Sequence, residues 1–176
     1  MELDRSLLSR NLRLSDLPDE VKTLYDAARP SLLSGDYGSG FFVGCSAKAN
    51  GSILRGFNSE LHGYNDAVHA EEAMISHLRA GSRGPLSPLE AVLVTSNSRS
   101  PISPCGACRD WLASYAPDRD MPVFLSNCEG DVIPATMRLL LPGVDDLLRC
   151  GRASEVPDED PLTRFARDQA LKAGVG

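Results

Sequence analysis

The stretch S-P-C-G-A-C-R-D-W at residues 103–111 constrains this 176-residue chain more than any other feature. Cys105 and Cys108 lie three positions apart, a spacing found in metal sites and redox pairs that also arises by coincidence in a core helix. The chain has five cysteines, an odd number that makes a poor disulfide framework and suits a reducing compartment. This cysteine usage favours a metal site. The other candidate ligands decide between a metal site, a redox pair and a coincidence.

A third candidate ligand lies upstream, in V-H-A-E-E-A at residues 68–73. One imidazole and two thiolates suit Zn²⁺ and leave its fourth tetrahedral position open, as a catalytic site requires. The order H-A-E at 69–71 and then P-C-x-x-C at 104–108 fits the pattern of the zinc nucleobase deaminases. We therefore predict one zinc ion per chain, bound by His69, Cys105 and Cys108.

Glu71 is the candidate catalytic residue. It lies two positions after His69 at a predicted helix start, where its carboxylate can face the open position of the metal. Zinc lowers the pKa of a bound water to about 7, so Glu71 can take that proton and pass it to a ring nitrogen. A purely structural zinc site is the alternative, although such a site usually has a fourth protein ligand and the sequence offers no obvious one.

Apolar periodicity predicts that strands alternate with helices along the chain. The predicted elements are a helix over 17–30, a hairpin over 41–57 that turns at Asn50-Gly51, a helix over 68–80, a strand from Ala91, a helix over 105–115, a strand from Met121, and a short strand and helix after Val132. This alternation predicts an α/β protein with a three-layer α/β/α fold and a mixed sheet of about five strands.

The length suits one catalytic domain, which we place at 17–150, after a loose leader at 1–16 and before an acidic linker and helical tail at 151–176. No apolar run reaches the length of a membrane span, and the first 20 residues lack the apolar core of a secretory signal. The 24 acidic residues outnumber the 18 basic ones, which argues against a long nucleic acid as partner. We expect a cytoplasmic protein with a small-molecule substrate and no membrane partner.

Three stretches together resemble the cytidine deaminase family. They are F-F-V-G-C-S-A from residue 41, N-S-E-L-H-G-Y-N-D-A-V-H-A-E-E-A from residue 58, and S-P-C-G-A-C-R-D-W from residue 103. The resemblance runs from about Tyr25 to Pro142. It implies zinc-dependent hydrolysis of cytidine and deoxycytidine with release of ammonia, a role in pyrimidine salvage, and a homo-oligomer that is a dimer or a tetramer.

The resemblance also implies the residues that bind the nucleoside. Asn58 and Glu60 match the N-x-E pair that holds the ribose 3′-hydroxyl in the family. Phe41 matches an aromatic residue that packs on the pyrimidine, and Tyr64 matches a tyrosine that reaches a neighbouring subunit's site in tetrameric members. Ala70 is the remaining candidate among the substrate-binding residues. From composition alone, Asn58 and Glu60 would be a solvated turn and Phe41 an ordinary core residue.

Two positions depart from the family's pattern. Small tetrameric members mostly have a third cysteine ligand and an arginine after the catalytic glutamate, whereas this chain has His69 and Glu72, as in the larger dimeric enzymes. Asp145 stands where many members have a phenylalanine, which Phe165 could replace. The alternatives are therefore a deaminase of a blasticidin-type aminonucleoside antibiotic or of a cytosine nucleotide, and a non-catalytic zinc-containing nucleoside-binding protein.

Overall fold

The computed structural model describes residues 4–33, 39–60, 67–81 and 88–142 of the chain. The helices are α1 (Asp19–Ala28), α2 (Ala70–Gly81), α3 (Gly106–Tyr115) and the short α4 (Met137–Leu140). The strands are β1 (Leu12–Arg13), β2 (Val43–Ala49), β3 (Ser52–Phe57), β4 (Ala91–Ser96), β5 (Pro122–Ser126) and β6 (Asp131–Thr136). No helix in these ranges is long and apolar enough to cross a membrane.

The strands form one mixed sheet in the order β1-β6-β5-β4-β2-β3. Only β4 and β5 run parallel, and every other neighbouring pair is antiparallel. Helix α3 connects the two parallel strands, as a parallel pair requires a crossover. The predicted α/β fold with a mixed sheet is confirmed, with six strands among the described residues rather than about five.

The additional strand belongs to the segment expected to be a loose leader. Leu12 and Arg13 of β1 pair with Val132 and Asp131 at the edge of the sheet. The Arg13 guanidinium also lies 2.8 Å from the Asp131 carboxylate. Residues 12 and 13 of the predicted leader therefore lie along β6, held by edge-strand backbone groups and by this ion pair.

The predicted β2–β3 hairpin is confirmed. Asn50 and Gly51 both have positive φ, 48° and 70°, as a type I′ turn requires. However, β2 begins at Val43 and not at Phe41. The Asn97 carboxamide oxygen accepts from the Phe42 N–H at 3.0 Å, while the Asn97 N–H donates to the Phe42 carbonyl at 3.2 Å. A side chain thus replaces one of the two backbone partners of Phe42 at the point where the ladder ends.

Helices cover both faces of the sheet, which confirms the three-layer arrangement. Helix α1 packs on one face, against Leu93 and Phe124. Helices α2 and α3 pack on the other face, where Cys45 is a fully buried core residue as predicted. Residues 151–176, the predicted linker and tail, lie outside the described residues, and the domain boundaries stay a prediction.

Candidate active site

The two candidate ligand segments have the same local structure. His69 and Cys105 each precede the first residue of a helix, and their carbonyls accept the first helical hydrogen bonds, from Ala73 and Arg109 at 3.0 Å each. The ligand groups therefore lie at the positive ends of the α2 and α3 dipoles, which favour thiolate over thiol. Cys108 lies one turn inside α3 and completes the group.

The three candidate ligands converge. The His69 Nδ1 atom lies 3.2 Å from the Cys108 Sγ atom and 3.3 Å from the Cys105 Sγ atom. All three ligand atoms lie within 4.8 Å of one another, and no other such group occurs in the described ranges. Ligands around a tetrahedral zinc ion are about 3.5–3.8 Å apart, so this donor set fits zinc after small adjustments. With Nδ1 as ligand, the imidazole proton is on Nε2.

Cys108 is buried and Cys105 is exposed, so the group has one inner and one outer sulfur. Burial raises the pKa of the Cys108 thiol far above its ordinary value, and the facing Glu71 carboxylate raises it further. A coordinated zinc ion reverses this effect because it deprotonates a thiol ligand outright. Metal binding at this site therefore releases protons.

Glu71, in the first turn of α2, is only 4% exposed. Burial raises the pKa of its carboxyl above the ordinary value, against hydrogen bonds from its own N–H and from the Cys108 thiol that lower it. The next residue has a different role, since the Glu72 carboxylate accepts from the His69 N–H at 3.1 Å and caps α2. The carboxylate at the position where small family members have arginine thus supports the ligand backbone.

A pocket of about 420 Å³ opens beside the ligand group. Its walls combine apolar side chains with a few polar ones, the usual composition of a small-molecule site. The residues that line it are Phe41, Val43, Asn58, Glu60, Ala67, His69, Ala70, Glu71, Ile102, Ser103 and Cys105. A larger open groove of about 1090 Å³, which includes Asp118 and Met121, lies at the other end of α3.

All the substrate-binding candidates among the described residues line the pocket: Phe41, Asn58, Glu60 and Ala70. The Asn58 carboxamide is not a free solvated group, since its oxygen accepts from the Val43 N–H and its nitrogen donates to the Phe41 carbonyl, both at 2.8 Å. Phe41 is 43% exposed and is not the ordinary core residue that its pattern alone allows. Tyr64, Asp145 and Phe165 lie outside the described residues.

Sequence reasoning missed one residue that holds the cysteine loop. The Arg109 guanidinium donates to the Pro104 carbonyl at 2.9 Å, the Ser103 hydroxyl at 2.9 Å and the Leu140 carbonyl at 2.8 Å. These bonds fix the backbone just before Cys105 and join it to the end of α4. An arginine directly after C-x-x-C, at the start of a helix, was the available signal.

Comparison with known proteins agrees with this geometry. Residues 20–123 match the family model of the cytidine and deoxycytidylate deaminase zinc-binding region. The chain belongs to this family. The predicted zinc-dependent hydrolase of the cytidine deaminase type is thereby confirmed, and so is zinc as its cofactor, with His69, Cys105 and Cys108 as a group that could hold one metal ion.

Relatives in this family include two bacterial cytidine deaminases. The protein of Sporosarcina psychrophila is 38% identical over 106 residues, which cover 60% of this chain and 75% of the relative. The protein of Halalkalibacterium halodurans is 36% identical over 94 residues, which cover 53% of this chain and 68% of the relative.

Solved structures of the family have the same fold. The cytidine deaminase of Mycobacterium leprae matches with a TM-score of 0.57 and 31% identity, over 69% of this chain and 97% of its own. That of Burkholderia pseudomallei matches with a TM-score of 0.58 and 32% identity, over 69% and 95%. Nearly all of each neighbour is thus contained in the fold of this chain.

Proposed function

We propose that this protein is a zinc-dependent cytidine and deoxycytidine deaminase, which hydrolyses the base amidine to give uridine or deoxyuridine and ammonia. The observation that carries the proposal is one pocket lined both by metal ligands and by sugar-binding candidates. His69, Glu71 and Cys105 line it together with Asn58 and Glu60. The relatives' name, cytidine deaminase, supports the same substrate.

In this proposal Glu71 carries the protons. When bound by His69, Cys105 and Cys108, zinc supplies an acidified water that acts as nucleophile near neutral pH. The Glu71 carboxylate accepts a proton from the attacking water and delivers it to N3 of the pyrimidine, while the oxygen bonds to C4. Glu71 then accepts the remaining proton from the C4 hydroxyl and donates it to the C4 amino group, so that the C4=O bond forms as the C–N bond breaks and ammonia leaves.

The remaining pocket residues orient the nucleoside. Phe41 presents a half-exposed ring, which suits packing on a pyrimidine face. Glu60 and the Asn58 carboxamide hold the sugar 3′-hydroxyl, and Ala70 at the start of α2 borders the base. A site built to hydrogen-bond a substrate hydroxyl discriminates strongly against analogues that lack it.

The charge of the pocket favours a nucleoside over a nucleotide. Among its described lining residues, Glu60 and Glu71 are acidic and none is lysine or arginine. Zinc and two thiolates with a neutral histidine sum to zero charge, so they do not offset these carboxylates. A phosphate dianion would therefore lack a cation partner in this part of the chain.

The family further suggests a setting for the reaction. We infer a role in pyrimidine salvage in the cytoplasm, and a homo-oligomer in which Tyr64 reaches a neighbouring subunit's pocket. Light scattering after size exclusion distinguishes a dimer from a tetramer, and a monomer with full activity would contradict this part of the proposal.

A substrate panel tests the proposal. Cytidine, deoxycytidine, CMP, cytosine and blasticidin S are offered separately to protein of measured zinc content, and loss of the cytosine absorbance is followed with ammonia release. We expect kcat/KM for the two nucleosides to exceed that for the other three by about tenfold or more. If only CMP or only blasticidin S is turned over, that compound replaces the nucleosides as the assigned substrate. Stoichiometric zinc with no turnover of any compound would favour the nucleoside-binding alternative.

A further inference from the structure

We propose that Ser39 is a positioning residue that fixes the Glu60 carboxylate and the Phe41 backbone together, and so couples the sugar side of the pocket to its base side. This inference rests on the proposed function, which assigns Glu60 to the sugar and Phe41 to the base.

Ser39 binds both oxygens of the Glu60 carboxylate. Its hydroxyl lies 2.8 Å from Oε1, and its backbone N–H donates to Oε2 at 3.1 Å. The same hydroxyl oxygen accepts from the Phe41 N–H at 3.1 Å. Because a carboxylate only accepts and an N–H only donates, the single hydroxyl proton must point at Glu60. The orientation of this hydroxyl is therefore fully determined, and its bond to Glu60 is charge-assisted.

Asn58 closes this arrangement into a ring. Its side-chain nitrogen donates to the Phe41 carbonyl at 2.8 Å and lies 3.5 Å from Glu60 Oε1. Both backbone polar groups of Phe41 are thus bound by side chains, one by Ser39 and one by Asn58. Glu60 receives bonds from the same two residues. A displacement of Glu60 therefore reaches Phe41 through either partner.

Hydrogen bonds, and not packing, hold these groups. Phe41 is 43% exposed, so core contacts alone do not fix its position. Ser39 is itself exposed, and removal of its hydroxyl leaves no cavity in the core. A Ser39→Ala substitution thus removes the two hydroxyl bonds, to Glu60 Oε1 and from the Phe41 N–H, and keeps the backbone N–H bond to Glu60 Oε2, with little effect on the fold.

Steady-state kinetics with cytidine test the proposal. We expect Ser39→Ala to raise KM about tenfold and to change kcat by less than about threefold, because the lost bonds position the groups that bind substrate and do not transfer protons. Ser39→Thr keeps a hydroxyl and restores most of the affinity. The control is Ser114→Ala, since the Ser114 hydroxyl donates only to the Asp110 carbonyl of its own helix. An unchanged KM in Ser39→Ala would overturn the proposal.

A double-mutant cycle and amide exchange separate this inference from the proposed function. In a Glu60→Gln background, Ser39→Ala should raise KM by much less than tenfold; fully additive effects would overturn the coupling. Exchange of the Phe41 amide, followed by NMR without substrate, should accelerate severalfold in Ser39→Ala and stay unchanged in Ser114→Ala. If the wild type fails to deaminate cytidine, the proposed function fails, and the exchange result alone decides whether Ser39 holds this segment.

Discussion

At the residue scale, the environment of Glu71 suits it to the role proposed above, in which one side chain both accepts and donates protons. Burial raises the pKa of its carboxyl, which moves a glutamate toward the neutral range in which a general acid–base works best. The carboxylate lies beside the ligand group without belonging to it, since the three candidate ligands are His69, Cys105 and Cys108. Metal binding and proton transfer can therefore be separated by substitution.

The substitution Glu71→Gln tests whether metal binding and proton transfer are separate. The amide keeps the shape of the side chain and cannot accept a proton, so we expect zinc content to stay near one per chain while kcat for cytidine falls about 10³-fold. Metal analysis and turnover are measured on the same sample. Glu72→Gln is the matched control, because its side-chain oxygen can still accept from the His69 N–H. Turnover retained in Glu71→Gln would remove Glu71 from the proton path.

The same residue gives the metal-free protein a pH-dependent stability. Burial raises the pKa of Glu71 in the folded state above its unfolded value, so ionisation of this group opposes folding. The resulting loss of unfolding free energy is absent below the unfolded pKa, near 4.5. It grows as the pH rises toward the folded pKa and is constant above that value. We expect Glu71→Gln to stabilise metal-free protein at pH 7–8 and the gain to vanish toward pH 4.5. Urea unfolding in chelator at several pH values measures this, and a gain that is independent of pH would contradict it.

At the element scale, two glycines set the distance between the sheet and its helices. A Cβ atom on Gly56 of β3 would lie 2.2 Å from the Ala70 carbonyl oxygen, at the start of α2. A Cβ atom on Gly44 of β2 would lie 2.3 Å from the Ala28 carbonyl oxygen, at the end of α1. The start of α2, which presents His69 and Glu71, thus rests directly on the backbone of β3.

Gly56→Ala tests this close contact. The obstructing atoms belong to helix backbone and cannot rotate away, so we expect a loss of about 3 kcal/mol or more in unfolding free energy and weaker zinc binding. Gly106→Ala is the control, since a Cβ there meets no atom within 4 Å, and its effect should stay within about 0.5 kcal/mol. Equal stability of the two variants would show that α2 can move off the sheet.

At the scale of the whole molecule, the sequence was sufficient where a local pattern carries the information. The alternation of apolar runs predicted the order of the long elements, and Asn50-Gly51 predicted the hairpin turn. The ligand group was predictable because zinc binds cysteine and histidine side chains, which occur here in two short motifs, H-A-E and P-C-x-x-C. Each of these features is visible within a short stretch of sequence.

The features that sequence reasoning missed depend on distant partners. Strand β1 has only two residues, so it is too short to show an alternation of apolar and polar residues. Its partners, Val132 and Asp131, are far away in the sequence. The bonds of Asn58 to the backbone of residues 41 and 43, and the bond from Arg109 to the Leu140 carbonyl, join segments whose proximity follows only from the fold. Burial of one face of a helix or strand gives a periodic pattern of apolar residues in the sequence, whereas single polar contacts of this kind give no such pattern.

The most direct test of zinc-dependent cytidine deamination is a zinc titration of metal-free protein, with uridine and ammonia measured at each addition. We expect no turnover without metal, a linear rise in turnover that ends at one zinc per chain, and equal amounts of the two products. Uridine formation by metal-free protein, or full zinc occupancy without uridine, would contradict it.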